Sequence, residues 1–89
     1  MENLTEVNSI KELEQIFNEA YESGYNSIAV EMTIPHRTET EIVFHRKQTI
    51  FNRLNYYKRT FDENLKHKRV DGISIVAVGF GDLSLFERR

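Results

Sequence analysis

The chain has no cysteine and no tryptophan, and it holds one proline and four glycines in 89 residues. The lack of cysteine excludes a disulfide scaffold, a thiol nucleophile and any zinc site built on thiolates, and it fits a reducing compartment. Long hydrophobic runs are also missing. The longest unbroken apolar stretch, Ile75-Val76-Ala77-Val78, has four residues, far from the roughly 20 that span a bilayer. The first ten residues, MENLTEVNSI, lack the basic and apolar regions of a signal peptide. The expectation is a cytoplasmic chain without a membrane segment. With no Gly/Pro-rich linker, repeat or low-complexity tract, residues 1–89 read as one domain. A hydrophobic fraction of 39%, with 11% aromatic, supplies one core. A chain of this size buries only roughly 60% of its unfolded surface, so pairing with a second chain would add stability.

Catalytic and metal-binding constellations are scarce too. His36, His45 and His67 are the only soft ligands, far apart and without cysteine partners, so neither a metal nor a cofactor is expected. His45, where a strand meets a helix, is the one placed to titrate. Glu39 and Glu41 alternate on one strand face, yet no nucleophile or oxyanion donor can be placed beside them. Gly79-Phe80-Gly81-Asp82 looks like a phosphate loop, but that mechanism needs a helix N-terminus after the glycines. They read better as a bulge or bend where the last strand ends. No catalytic residue is assigned, and the expectation is a non-enzymatic protein.

Charge is present but segregated. Residues 1–35 carry one lysine and seven acids, a net −6; residues 36–69 carry nine Lys/Arg and four acids, a net +5; the whole chain is −2. Such polarity marks an interaction surface, or an acidic helix lying beside a basic one.

The apolar spacing predicts the elements. Ser9 and Glu12 have the spacing of a capping box. Behind them Ile10, Leu13, Ile16, Phe17, Ala20 and Tyr21 recur at helical intervals, with Gly24 placed to end a helix over 10–23. Ile28, Val30, Met32 and Ile34 alternate with smaller or polar residues, and Pro35 stops that strand. A polar turn and a second strand over 39–45 complete an antiparallel hairpin. Ile50, Leu54, Tyr57, Phe61 and Leu65 then return to helical spacing, predicting one long helix over 47–68 with basic residues at its end. Asp71-Gly72 is a turn, and 73–80 is a third strand. The order α-β-β-α-β predicts an α+β two-layer sandwich: a hairpin plus a third strand, with both helices on one sheet face.

Two segments carry the functional readings. Residues 45–59, HRKQTIFNRLNYYKR, hold five Lys/Arg, three aromatics and no acid. A helical projection sends Ile50, Leu54 and Tyr57 inward. It leaves Arg46 and Arg53 on one border and turns Tyr56 and Arg59 to solvent, where Lys66 joins them. The third strand is apolar on both faces, so Val76, Val78 and Phe80 need a cover. Either the tail, through Leu85 and Phe86, or a second copy would provide it. The first reading is thus a protein-interaction module: a small regulator, adaptor or inhibitor, a class that on base rates includes phage-encoded chains. It would present Arg46, Arg53, Tyr56, Arg59 and Lys66 to a protein partner and form a homodimer through Val76, Val78 and Phe80. The alternative is nucleic-acid binding by a basic helix over 46–69, using the same cations with Lys47 and stacking on Tyr56. No nucleic-acid-binding fingerprint supports it.

Overall fold

Ser9 caps the first helix, its Oγ accepting from the Glu12 N–H at 3.2 Å, while Glu12 Oε1 accepts from the Asn8 N–H at 2.7 Å. The computed structural model describes residues 4–82. In chain order these form β1 (Thr5–Glu6), α1 (Ile10–Ser23), β2 (Ser27–Thr33), β3 (Thr40–Arg46), a 3-10 turn (Lys47–Thr49), α2 (Ile50–Thr60) and β4 (Ile75–Gly81). α1 ends at Gly24, whose φ of 89° is left-handed and suits glycine. The four strands make one antiparallel sheet in the order β1-β4-β2-β3, with the helices packed on it in an α+β arrangement. No helix among the described residues is long and apolar enough to cross a membrane.

Strand registers fix the two faces, because residues directly opposite in antiparallel strands share a side. One row across the sheet is Val78–Val30–Val43 and the next is Phe80–Ile28–His45. Val30, Ile28 and Val78 are fully buried in the core with Leu13 and Phe17 of α1 and Leu54 of α2, and Phe80 packs against that cluster. These rows therefore face the helices. The alternate rows, Gly79–Ala29–Phe44 and Ala77–Glu31–Ile42, form the opposite face, on which Ala29, Ala77 and Gly79 are buried.

β4 is apolar on both faces, but the assignment of its residues to those faces is corrected by a bulge. Glu31 pairs with Ala77 and Met32 with Ile75, leaving Val76 as an extra residue between them. That shift puts Ile75 on the same side as Val78 and Phe80. The other face of β4 is then filled by Ala77 and Gly79, which are also buried, while Val78 and Phe80 belong to the helix-side core. The bulge lies at Val76, not at the glycines near the strand end. Leu85 and Phe86, offered as a cover, lie outside the described residues.

The long second helix is also corrected. α2 stops at Thr60, and Phe61 is extended at φ −113°, ψ 149°. Asp62 is the cause: its Oδ1 accepts from the backbone N–H of Asn64 at 2.9 Å and of Lys66 at 3.0 Å, offering the chain an alternative to helix. Leu65 turns left-handed at φ 64°. The chain then doubles back through the Phe61–His67 and Lys66–Ser74 bridges. Even so, all five residues of the predicted stripe are buried, with Phe61 3% and Leu65 0% exposed. Apolar spacing located the core correctly although the helix that was to carry it ends early.

Candidate functional site

The hairpin positions a site on the helix side of β3. His45 stands one register row from Val43 on that side, and α2 lies over the strand. His45 Nε2 and the Tyr57 hydroxyl are 2.6 Å apart, a hydrogen bond in which the imidazole tautomer decides the donor. Burial, and secondly the Arg53 guanidinium, lower the His45 pKa from 6.5 to about 4, so the ring is neutral at neutral pH. Burial chiefly, with Tyr56 adding to it and Arg53 opposing, raises Tyr57 above the ordinary phenol range. The pair is an uncharged, oriented hydrogen bond, and Tyr57 also packs edge-on against Phe17 and Phe61.

This pair closes one end of a groove of about 310 Å³. Met32, Val43, Phe61 and Ile73 give it an apolar floor; Arg53, Tyr56 and His67 stand with the His45–Tyr57 pair around it. His67 also borders a second recess of about 480 Å³, whose rim is Arg59, Lys68 and Arg69. The two recesses are distinct and share His67 in their linings. The loop that ended α2 is what folds this second rim into place: His67 Nδ1 accepts from the backbone N–H groups of Arg69 and Val70, each at 3.0 Å, and Lys68 N–H donates to Thr60 O. The ring of His67 packs on Phe61, 5.2 Å between centroids.

No aspartate or glutamate lines either recess. Among the described residues the one ion pair is Lys58–Glu14, 3.2 Å, which ties α2 to the acidic α1 on the other flank. Arg53, Arg59, Lys68 and Arg69 thus meet no carboxylate within ion-pair distance there. Arg53 stands beside the apolar groove and Arg59, Lys68 and Arg69 line the neighbouring recess, with Tyr56, 45% exposed, in the groove lining.

Of the residues singled out by sequence, Arg53, Tyr56 and Arg59 line these recesses. Arg46 does not; it ends β3 opposite Ser27 on the sheet face away from the helices. Lys66 does not either, because the chain turns at Asp62 and leaves it near Glu6, Asn8 and Ser74. Lys68, Arg69 and His67 were missed, since a helix over 47–68 scatters them instead of curling them beside Arg59. Tyr21, read as part of the α1 core stripe, is 48% exposed and stacks at 5.0 Å on Phe51, with the Lys47 ammonium 5.2 Å over its ring. Tyr21, Tyr25 and Phe51 border a separate cleft of about 610 Å³ at the opposite end of α2.

Among the described residues, no carboxylate lines the groove beside His45. No group of three or more His, Cys, Asp or Glu side chains is arranged to hold a metal among the described residues. Comparison with protein-family models, curated proteins and solved structures finds no match to this chain.

Proposed function

We propose that this chain is a non-enzymatic protein-interaction module, a small regulator, adaptor or inhibitor acting in the cytoplasm. Its partner is a protein segment with an apolar side chain flanked by acids. One observation carries the reading: an apolar groove lined by Arg53, beside a recess lined by Arg59, Lys68 and Arg69, with no carboxylate lining either. The apolar group of such a segment fills the floor between Val43, Phe61 and Ile73, while its acids meet Arg53 and Arg59 on one side and Lys68 and Arg69 on the other. Arginine suits this role because its planar guanidinium takes a carboxylate with two parallel hydrogen bonds. Steering by the rim weakens with salt, whereas contact with the floor does not.

Nucleic acid is the second reading, favoured by one feature: Tyr56 is exposed between Arg53 and Arg59, where a base can stack. An apolar floor has no use for a phosphodiester, and only one aromatic is offered, so the peptide reading ranks first. A pulldown from native lysate, run with and without nuclease, separates them. The protein reading expects the same bound protein in both, lost with Arg53→Glu/Arg59→Glu. Capture that disappears on nuclease treatment would transfer the proposal to nucleic acid.

A further inference from the structure

Among the described residues β3 is an edge of the sheet, seven residues long, and pairs with β2 through seven consecutive registers without bulge or proline. The opposite edge, β1, has two residues and is blunted by its shortness. A long, regular edge leaves a row of backbone N–H and C=O groups that another strand can complete. Proteins usually guard such an edge with a charge in its middle. Here the middle is Ile42-Val43-Phe44, and charge is confined to the ends.

Those ends have opposite signs. Glu39 and Glu41 lie at the start, Arg46 and Lys47 at the finish. A strand of this kind repels a parallel copy of itself and attracts an antiparallel one. Continuity of the sheet adds a second condition, since opposed residues must lie on the same face. Pairing about Val43 meets both. Val43 then faces its own copy, Ile42 faces Phe44 and Thr40 faces Arg46. Glu39 and Glu41 of one chain lie along Lys47 and His45 of the other. Centring on Phe44 instead sets Ile42 against Arg46, and centring on Ile42 sets Glu41 against Val43.

We infer that β3 is a self-association edge, taking the β3 of a second copy of this chain antiparallel about Val43 and joining two four-stranded sheets into one. This dimer uses neither Val76, Val78 and Phe80 nor the cations of the groove. It places two grooves on the same side of one continuous sheet, because α2 of each copy lies over its own β3. Val43 and His45 belong to both the groove lining and the paired strands, whereas Glu39, Glu41, Arg46 and Lys47 line neither recess, so charge exchange at those four positions tests the dimer separately from the proposed partner.

Charge exchange tests it. Glu39→Lys/Glu41→Lys and Arg46→Glu/Lys47→Glu change exposed or half-exposed side chains and leave the core untouched. Light scattering after size exclusion is expected to give the full chain twice its 10.5 kDa mass. Each double variant alone is expected to dissociate about tenfold more readily or worse, by turning cross-strand attraction into repulsion. Mixed in equal amounts, the two variants are expected to recover the doubled mass, with circular dichroism confirming that each is folded. A wild-type chain that stays at 10.5 kDa at every concentration overturns the inference. So does a dimer indifferent to both variants, or folded variants that fail to pair when mixed.

Discussion

Single residues explain where the chain bends and what its groove can do. Gly72 holds φ at 97°, and a Cβ there would sit 3.1 Å from Pro35 Cα, a backbone atom that cannot easily give way. Its carbonyl accepts from Thr33 Oγ1 at 2.7 Å, and that oxygen in turn accepts from the Ser74 N–H. Gly72→Ala combines strain with that close contact and is expected to cost about 1–2 kcal/mol in chemical denaturation. His45 makes a pH-dependent contribution of known sign. The fold favours the neutral ring, so the unfolded chain binds more protons between pH 6.5 and about 4. The contribution is present in full above pH 6.5 and is lost as pH falls toward 4. Denaturant midpoints at pH 7 and pH 4.5 should therefore converge for His45→Gln relative to the wild type. The groups facing that ring include Arg53, Tyr56 and Tyr57 of α2 and His67 of the following loop. Arg53→Gln is expected to raise the His45 pKa by removing one of its two causes, read from imidazole resonances.

Elements show why some of the fold was legible and some was not. α1 was readable to the residue because its cap, its apolar spacing and its terminal glycine agree. The hairpin was readable from alternation and Pro35. Three features escaped: β1 has only two residues, too few for alternation to show, and the other two are each decided by a competition that periodicity does not register. Val76 counts as one more apolar residue in an apolar strand, yet as a bulge it reverses which face its successors occupy. Asp62 fits a helical projection, but its carboxylate captures two backbone N–H groups and turns the chain away. The candidate site follows the same division: Arg53, Tyr56 and Arg59 lie on the helix, where a projection can place them, while Lys68 and Arg69 come beside Arg59 only after the turn. Asp62→Ala removes both hydrogen bonds and is expected to destabilise the domain by about 1–2 kcal/mol. It should also raise amide-exchange rates from Asn64 to Val70 more than elsewhere, since this loop rests on those bonds.

At the scale of the molecule, the polarised sequence resolves into two flanks of one helical layer. The acidic α1 and the basic α2 pack side by side, joined by the exposed Lys58–Glu14 pair, which is worth at most about 1 kcal/mol. Its cost in stability is small, and what matters is that the acids of α1 stay on their own flank. The groove side keeps Arg53 beside the apolar lining, and Arg59, Lys68 and Arg69 around the neighbouring recess, with no carboxylate lining either. A nuclear magnetic resonance titration of the full chain tests the central claim, binding of the proposed segment there, most directly, using a peptide with one leucine between glutamates and a thymidine oligonucleotide of equal charge. The account predicts saturable peptide-induced shifts at Val43, Arg53, Tyr56, His67 and Arg69, weakened by salt and abolished by Arg53→Glu/Arg59→Glu. Shifts confined to the Tyr21–Tyr25–Phe51 cleft, or seen only with the oligonucleotide, would contradict it.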